Sequence, residues 1–173
     1  MRHTLSAALF ALLIPAATFA QTAAPPPAVQ FDQVLSANPF GVVVKWFNVE
    51  YERKLGPATT LGASASHFGE LDFSNAAVLL RWYPQQSPLE GFYLGARAGA
   101  FGFKSYTYEF RSYREQNRVL PGAGIELGRN WLLGPRRNVS VGTGFGLTRI
   151  AGSDSYAVPS VLPIFRMNVG IAF

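Results

Sequence analysis

Apolar and polar residues alternate along most of this chain, most clearly in the segment VLPIFRMNVGIAF at its end. One side of that segment is wholly apolar: Phe165, Met167, Val169, Ile171 and Phe173. The other side is mixed: Ile164, Arg166, Asn168, Gly170 and Ala172. A period of two is typical of a β-strand, in which successive side chains point to opposite faces. The pattern therefore predicts a strand that is apolar on one face.

The same alternation recurs upstream between turns that are rich in glycine and proline. It marks residues 47–53, 77–83, 92–101, 122–128 and 139–147, and more weakly residues 60–68. An additional strand must precede residue 47 if the strands alternate in direction, and NPFGVVV (38–44) is the candidate, with a reversal near Lys45 and Trp46. No helical period appears after residue 30. The sequence predicts an all-β fold of eight antiparallel strands.

The connections between these strands also alternate, in length and polarity. Residues 54–58, 84–91 and 132–138 form short turns rich in proline and glycine, whereas residues 69–75, 104–118 and 151–157 form longer and more polar loops. Short turns at one end and long loops at the other are typical of outer-membrane barrels. The predicted fold class is therefore an eight-stranded antiparallel transmembrane β-barrel of the outer-membrane type.

A soluble β-sandwich would show a similar alternation, so the less apolar face decides between the two folds. A solvated face favours Thr, Lys, Glu and Gln, but here it is dominated by glycine, with occasional arginine. Glycine weakens a strand unless room is needed, and the interior of an eight-stranded barrel is just wide enough for side chains to fill. The glycines therefore favour a barrel whose lumen holds long side chains.

The charged residues on the glycine-rich face predict a network inside the barrel. An arginine facing lipid at mid-depth costs about 2–4 kcal/mol, so these arginines should face the lumen and pair with glutamates of the same phase. Glu52 lies on the same strand face as Glu50 and so also points to the lumen. The predicted lumen charge network consists of Glu50, Arg81, Arg97, Glu126 and Arg166.

The start of the chain indicates export. Residues 1–20 have a basic beginning, an apolar centre and small residues before Ala20, which is the pattern of a cleaved signal peptide. Residues 21–36, rich in proline and alanine, are assigned to an N-terminal leader, and residues 37–173 to the barrel domain. The formal net charge of +5 is scattered along the chain, and there is no cysteine. We expect no nucleic-acid partner.

Five segments of the chain, taken in order, resemble a family of small, uncharacterised barrels of the bacterial outer membrane, catalogued as a domain of unknown function. These segments are residues 38–56, 81–84, 91–99, 122–146 and 162–173. The closing strand resembles the signal that the outer-membrane assembly machinery recognises, with Phe173 as its final aromatic. The resemblance implies a Gram-negative outer-membrane location and brings no catalytic residues with it. We expect a monomer with a structural, surface-interaction or small-ligand-binding role.

Enzymatic chemistry has weak support in the sequence. His67 is the only histidine after the signal peptide, beside Ser66 and near Glu70. A serine nucleophile needs a base within hydrogen-bond reach, but adjacent residues of a strand point to opposite faces. Ser64 or Asp72 would have to act in place of the neighbouring Ser66 and Glu70. The sequence therefore predicts no catalytic, cofactor or metal site, with a lipid-active enzyme at the outer rim and a narrow diffusion channel as alternatives.

The polar hairpin 104–118 interleaves basic and aromatic residues. Arginine forks suit phosphate groups. Arg111, Arg114 and Arg118 are therefore candidates for contact with lipopolysaccharide or with an extracellular partner. The expected partners are outer-membrane lipids, lipopolysaccharide and the assembly machinery.

Overall fold

A computed structural model describes residues 31–109, 112–153 and 159–173, with the backbone alone at residues 42, 71, 105–109 and 112–116. Eight strands follow one another around a closed barrel, each antiparallel to both neighbours. They are β1 (Gln33–Ala37), β2 (Trp46–Lys54), β3 (Thr59–Phe68), β4 (Phe73–Trp82), β5 (Gly91–Glu109), β6 (Ser112–Leu133), β7 (Val139–Ile150) and β8 (Val161–Ala172). The predicted eight-stranded antiparallel barrel is confirmed.

The connections at the two ends do not divide by length as the sequence predicts: residues 69–72 alone join β3 and β4, the longer stretch 83–90 joins β4 and β5, and most of residues 104–118 lie within β5 and β6. Residues 55–58, 83–90 and 134–138 link strands at one end, which we call the turn end. The connections that follow β1, β3 and β7 lie at the opposite end, which we call the loop end. Strands β5 and β6 are much the longest, and their pairing continues from Gly91–Asn130 to Glu109–Ser112. This hairpin therefore extends the barrel wall at the loop end.

The first strand lies earlier than the sequence predicts. Residues 38–44 are not a strand: Asn38 Oδ1 accepts a hydrogen bond from Phe40 N at 2.8 Å, and a single helical turn, α1 (Gly41–Val44), follows. An Asn-Pro pair favours a turn, and this local preference outweighs the strand propensity of three consecutive valines. The barrel instead begins at Gln33, inside the stretch assigned to the leader. No helix within the described ranges is long and apolar enough to cross a membrane.

Many large apolar residues of the barrel are exposed, and a group of its charged residues is buried. Ile125 is 70% exposed and Phe165 61%, whereas Arg81 is 1% exposed and Glu52 2%. The alternation in the sequence thus places the apolar face outside and the glycine- and arginine-rich face in the lumen. This arrangement is the reverse of a soluble protein, which buries its large apolar side chains.

The lumen is layered along the barrel axis. Near the turn end, Leu89 from the β4–β5 connection packs against Val34 and Ala172. Near the loop end, Phe101 and Ile150 form a second apolar cluster. The buried charges lie between these two layers.

Lumen glycines make room for a central tyrosine. A Cβ on Gly144 would lie 2.6 Å from Tyr93 Oη, and one on Gly128 would approach both that oxygen and the carbonyl oxygen of Thr143 more closely than atoms can. Tyr93 is fully buried. The Tyr93 ring therefore fits in the lumen because the facing positions on β6 and β7 are glycines without side chains.

We predict that Gly128→Ala lowers the free energy of unfolding by about 1–3 kcal/mol, the usual cost of overpacking. Gly102→Ala is the matched control, because the nearest atom to its added Cβ is Ser74 O at 3.6 Å. Urea unfolding in detergent micelles, followed by gel mobility, measures both. Equal unfolding midpoints for the two variants would contradict the packing described for Tyr93.

Candidate functional site: the barrel lumen

Arg81 on β4 is the centre of the buried charges. Its Nη1 lies 2.7 Å from Glu50 Oε1 and 2.5 Å from Glu52 Oε2, and its Nε lies 2.6 Å from Glu126 Oε1. One guanidinium thus bridges carboxylates on β2 and β6. Such charge-assisted hydrogen bonds are the strong ones in proteins, and the planar fork of arginine suits several partners at once.

Arg166 on β8 extends the same network across the barrel. Its Nη2 lies 2.7 Å from Glu50 Oε1, and its Nε donates to both oxygens of that carboxylate, at 2.9 and 3.1 Å. Its Nη1 donates to Asn130 Oδ1 at 2.7 Å. Glu50 is therefore shared by two arginines.

Two tyrosines complete the packing around these charges. The Arg81 guanidinium carbon lies 4.6 Å from the centre of the Tyr93 ring, a cation–π distance. Tyr83 Oη donates to Glu52 Oε1 at 2.7 Å and accepts from Asn130 Nδ2 at 2.8 Å. Side chains from several strands thus occupy the middle of the lumen.

Arg97 on β5 is held far more loosely than the other two arginines. Its Nη1 lies 3.8 Å from Glu126 Oε2, which is longer than a hydrogen bond, and its Nη2 donates to Ser64 Oγ at a long 3.4 Å. Arg97 is nonetheless only 7% exposed. This guanidinium keeps unused hydrogen-bonding capacity next to an equally underused carboxylate oxygen.

The structure brings together all five residues named in the predicted network. The network also includes Glu52, whose phase the sequence indicates. Tyr83, Tyr93 and Asn130 are further members that the sequence pattern did not identify. Tyr83 and Tyr93 lie on the same strand faces as Arg81 and Arg97, so their positions in the sequence could have identified them as lumen residues. Asn130 lies just beyond the predicted strand 122–128, and only the greater length of β6 reveals it.

A cavity of about 560 Å³ occupies the loop end of the lumen. Its floor includes Arg97, Glu126 and Arg166, and its upper wall carries apolar side chains that include Trp46 and Phe73. A volume of this size is within the range of small-molecule sites. The lumen is thus packed in its middle and open above it.

His67 does not pair with the residues considered from the sequence. Ser66 faces the lumen and accepts a hydrogen bond from Trp46 Nε1 at 3.1 Å, whereas His67 faces outward. His67 Nδ1 instead lies 2.9 Å from Oγ of Ser74, its partner on β4. Glu70 lies 3.0 Å from Lys45 Nζ. Within the described residues, no group of three or more His, Asp or Glu side chains could hold a metal ion.

The structure describes Phe173 in full but the arginines of the polar hairpin only in part. Phe173 N donates to Gln33 O at 2.9 Å, and Phe173 O accepts from Gln33 N at 3.0 Å, so the final residue closes the seam between β8 and β1. Arg111 lies outside the described residues, and only the backbone of Arg114 is described. Arg118 pairs with Phe103 across the β5–β6 ladder.

A sequence-family model described as "Protein of unknown function (DUF3575)" matches residues 9–163. The chain belongs to this family. The predicted resemblance to a family of uncharacterised barrels is confirmed. A comparison with curated proteins gives no significant sequence match to this DUF3575 member.

Two solved barrels have a shape similar to that of this DUF3575 protein. The N-terminal β-barrel domain of Pseudomonas aeruginosa OprF is 13% identical, with a TM-score of 0.49, covering 83% of this chain and 98% of that one. The Yersinia pestis outer-membrane protein Ail, solved in a phospholipid bilayer nanodisc, is 12% identical with a TM-score of 0.45, covering 83% of this chain and 100% of that one.

We predict that Arg81→Met is strongly destabilising, by about 3–5 kcal/mol, because it leaves buried carboxylates without their cation. Arg97→Met is the matched control on the same lumen face. We expect it to cost less than half as much, because Glu126 keeps its contact with Arg81. Urea unfolding in micelles measures the difference. Similar losses for the two variants would contradict the central role of Arg81.

Proposed function

We propose that this DUF3575 protein is an integral outer-membrane β-barrel, exported through a cleaved signal peptide, whose lumen is sealed against ions. Its role would be structural or interactive, within the envelope or at its surface, with no chemistry of its own. The observation that carries the proposal is the combination of an apolar exterior with a charge network that fills the middle of the lumen.

The exterior supports a location in lipid. A strand needs about 9–11 residues to cross a bilayer, and β3 and β4 have 10 each. Their outward positions include Leu61, Val78 and Leu80, which are 42%, 56% and 51% exposed. Trp82 and Phe173 are about half exposed and lie near the turn end, where an interfacial aromatic girdle belongs. Water contact with so much apolar surface would favour aggregation.

The interior supports a sealed barrel. Arg81, Glu52 and Asn168 are each at most 2% exposed, and Leu89 packs below them at the turn end. An ion would have to displace paired charges and an apolar layer to pass. A narrow diffusion channel, the alternative from the sequence, needs a continuous water path instead.

The membrane location and the sealed lumen can be tested on one preparation. We expect the mature protein in the outer-membrane fraction, with faster gel mobility before boiling than after it. Planar bilayers containing that folded protein should show no discrete single-channel currents. A product that stays monomeric without detergent would contradict the membrane location, and steady conductance would contradict the seal.

A further prediction concerns Phe173 as an assembly signal. We expect Phe173→Ala to reduce the folded protein recovered from the outer membrane several-fold, because the assembly machinery would recognise the final aromatic less well. Phe165→Ala is the matched control: it removes an equally exposed ring from the same face of β8. Heat-modifiable mobility in membrane fractions measures both variants, and equal yields would contradict this role. Refolding each purified variant in detergent separates assembly from stability.

A lipid-active enzyme at the loop end is the second candidate function, favoured by the 2.9 Å contact between Ser74 Oγ and His67 Nδ1. Such a pair needs an acid that orients the histidine. Glu70 contacts Lys45, and Asp72 lies 3.3 Å from Lys104 Nζ. The non-enzymatic role is therefore the one we propose.

Contact between the polar hairpin and lipopolysaccharide stays a prediction. The long β5–β6 ladder supports it, since it carries the hairpin beyond the other strands. The arginines concerned are Arg111, Arg114 and Arg118.

A further inference from the structure

The cavity at the loop end combines an apolar upper wall with a polar floor of mixed charge. Trp46, Phe68, Phe73 and Phe103 form the upper wall, on neighbouring strands in register. Arg97, Glu126, Glu50 and Arg166 contribute to the floor. A ligand that fits both parts must have a polar head directed toward the middle of the barrel and an apolar tail directed toward the loop end.

The floor offers a donor and an acceptor side by side. Arg97 Nη1 and Glu126 Oε2 are 3.8 Å apart, too far for a hydrogen bond to each other. The contacts of Arg81 are much shorter, at 2.5–2.7 Å. An amide group could accept from Arg97 through its carbonyl oxygen and donate to Glu126 through its N–H.

The charge balance of the floor favours an uncharged head. Three arginines, Arg81, Arg97 and Arg166, are matched by three glutamates, Glu50, Glu52 and Glu126. Lys104, which also lines the cavity, lies 3.3 Å from Asp72 Oδ1. A full extra charge of either sign on the floor would stand unbalanced beside these buried pairs, where burying a charge is costly. A carboxylate or ammonium head is therefore disfavoured relative to an amide.

Polar side chains without hydrogen-bond partners in the cavity wall also favour a ligand with a polar head. Among the described residues, Asn75 Oδ1, Asn48 Oδ1 and Arg97 Nε are buried and have no hydrogen-bond partner. Asn75 is 8% exposed, and an unsatisfied buried amide costs stability. Half a turn about its last side-chain bond exchanges the oxygen and nitrogen of Asn75, so either can be presented to a ligand. By this rotation Asn75 can offer a hydrogen bond to a ligand, whereas Asn48 Oδ1 and Arg97 Nε stay buried.

We propose that this cavity binds a small amphipathic molecule with an uncharged amide head, held by Arg97, Glu126 and Asn75, and with an apolar tail among the aromatic residues near Trp46. This inference does not depend on the proposed seal, because the ligand reaches Arg97 and Glu126 from the loop-end side of the charge network, whose residues form the cavity floor. About 13 Å of strand separates Trp46 from Glu50 at roughly 3.3 Å per residue, which suits a medium-length chain.

The test uses Trp46 as the reporter. Replacing Trp82 and Trp131 by Phe leaves Trp46 as the single tryptophan, because the chain has three. In nanodiscs, 8-bromooctanamide should quench its fluorescence saturably, since bromine at the end of the tail would lie beside the indole. The matched probes 8-bromooctanoate and (8-bromooctyl)trimethylammonium should bind at least tenfold more weakly.

Two variants and one control then assign the site. Asn75→Leu and Arg97→Met should each weaken amide binding about tenfold, the effect of losing one hydrogen bond. Asn75→Leu should not lower the urea midpoint, because the buried oxygen it removes is unpartnered. Thr148→Val is the control: its hydroxyl oxygen is also buried without a partner in the described structure, but it does not line the cavity. Its affinity should stay within twofold of wild type.

Several results would overturn the proposal. They are the absence of saturable quenching by the amide, equal or tighter binding of a charged probe, and unchanged affinity in both Asn75→Leu and Arg97→Met. Heat-modifiable mobility of each sample shows that the barrel is folded. A failure to bind in a folded, membrane-inserted barrel therefore contradicts the ligand site alone and leaves the proposed membrane role standing.

Discussion

The fold depends on where the arginines of the strands can find partners. Most outward positions are apolar, so a charge at mid-depth on a strand must turn inward, into a cylinder closed by eight strands. Arg53, Arg129 and Arg149 face outward toward the ends of their strands. Arg81 meets this constraint by contacting Glu50, Glu52 and Glu126 together. A buried ion pair is weak support for net stability, because desolvation offsets the attraction. The observed register of the strands brings these partners together, and a one-residue slip of β4 would turn Arg81 away from them.

Alternation alone predicted much of this architecture. A one-residue slip in a strand exchanges its faces, so the positions of the arginines along the chain are enough to set the phase of β4, β5 and β8. Counting strand directions between short turns then required an eighth strand. Both inferences rest on local patterns that the barrel preserves.

The parts that could not be predicted depend on long-range geometry. β1 has only five residues, QVLSA, and its pattern is weaker than the run of valines that the sequence favours instead. Closure of the barrel, rather than local propensity, makes Gln33–Ala37 a strand. The role of Arg81 as the shared partner likewise depends on tilt and register across strands. The proposed ligand site depends on distances such as the 3.8 Å between Arg97 and Glu126, which no sequence pattern indicates.

The contact between Arg166 and Glu50 has a consequence for how the cylinder closes. These residues belong to β8 and β2, the two strands on either side of the short β1. The seam between β1 and β8 has a backbone register of only four pairs, from Val34–Ala172 to Ala37–Val169. The ion pair spans this seam from inside by linking β8 to β2 across the short β1, where backbone pairing is scarcest. The charges that fill the lumen therefore also hold the barrel closed. Separating β1 from β8 sideways would require breaking the ion pair between Arg166 and Glu50.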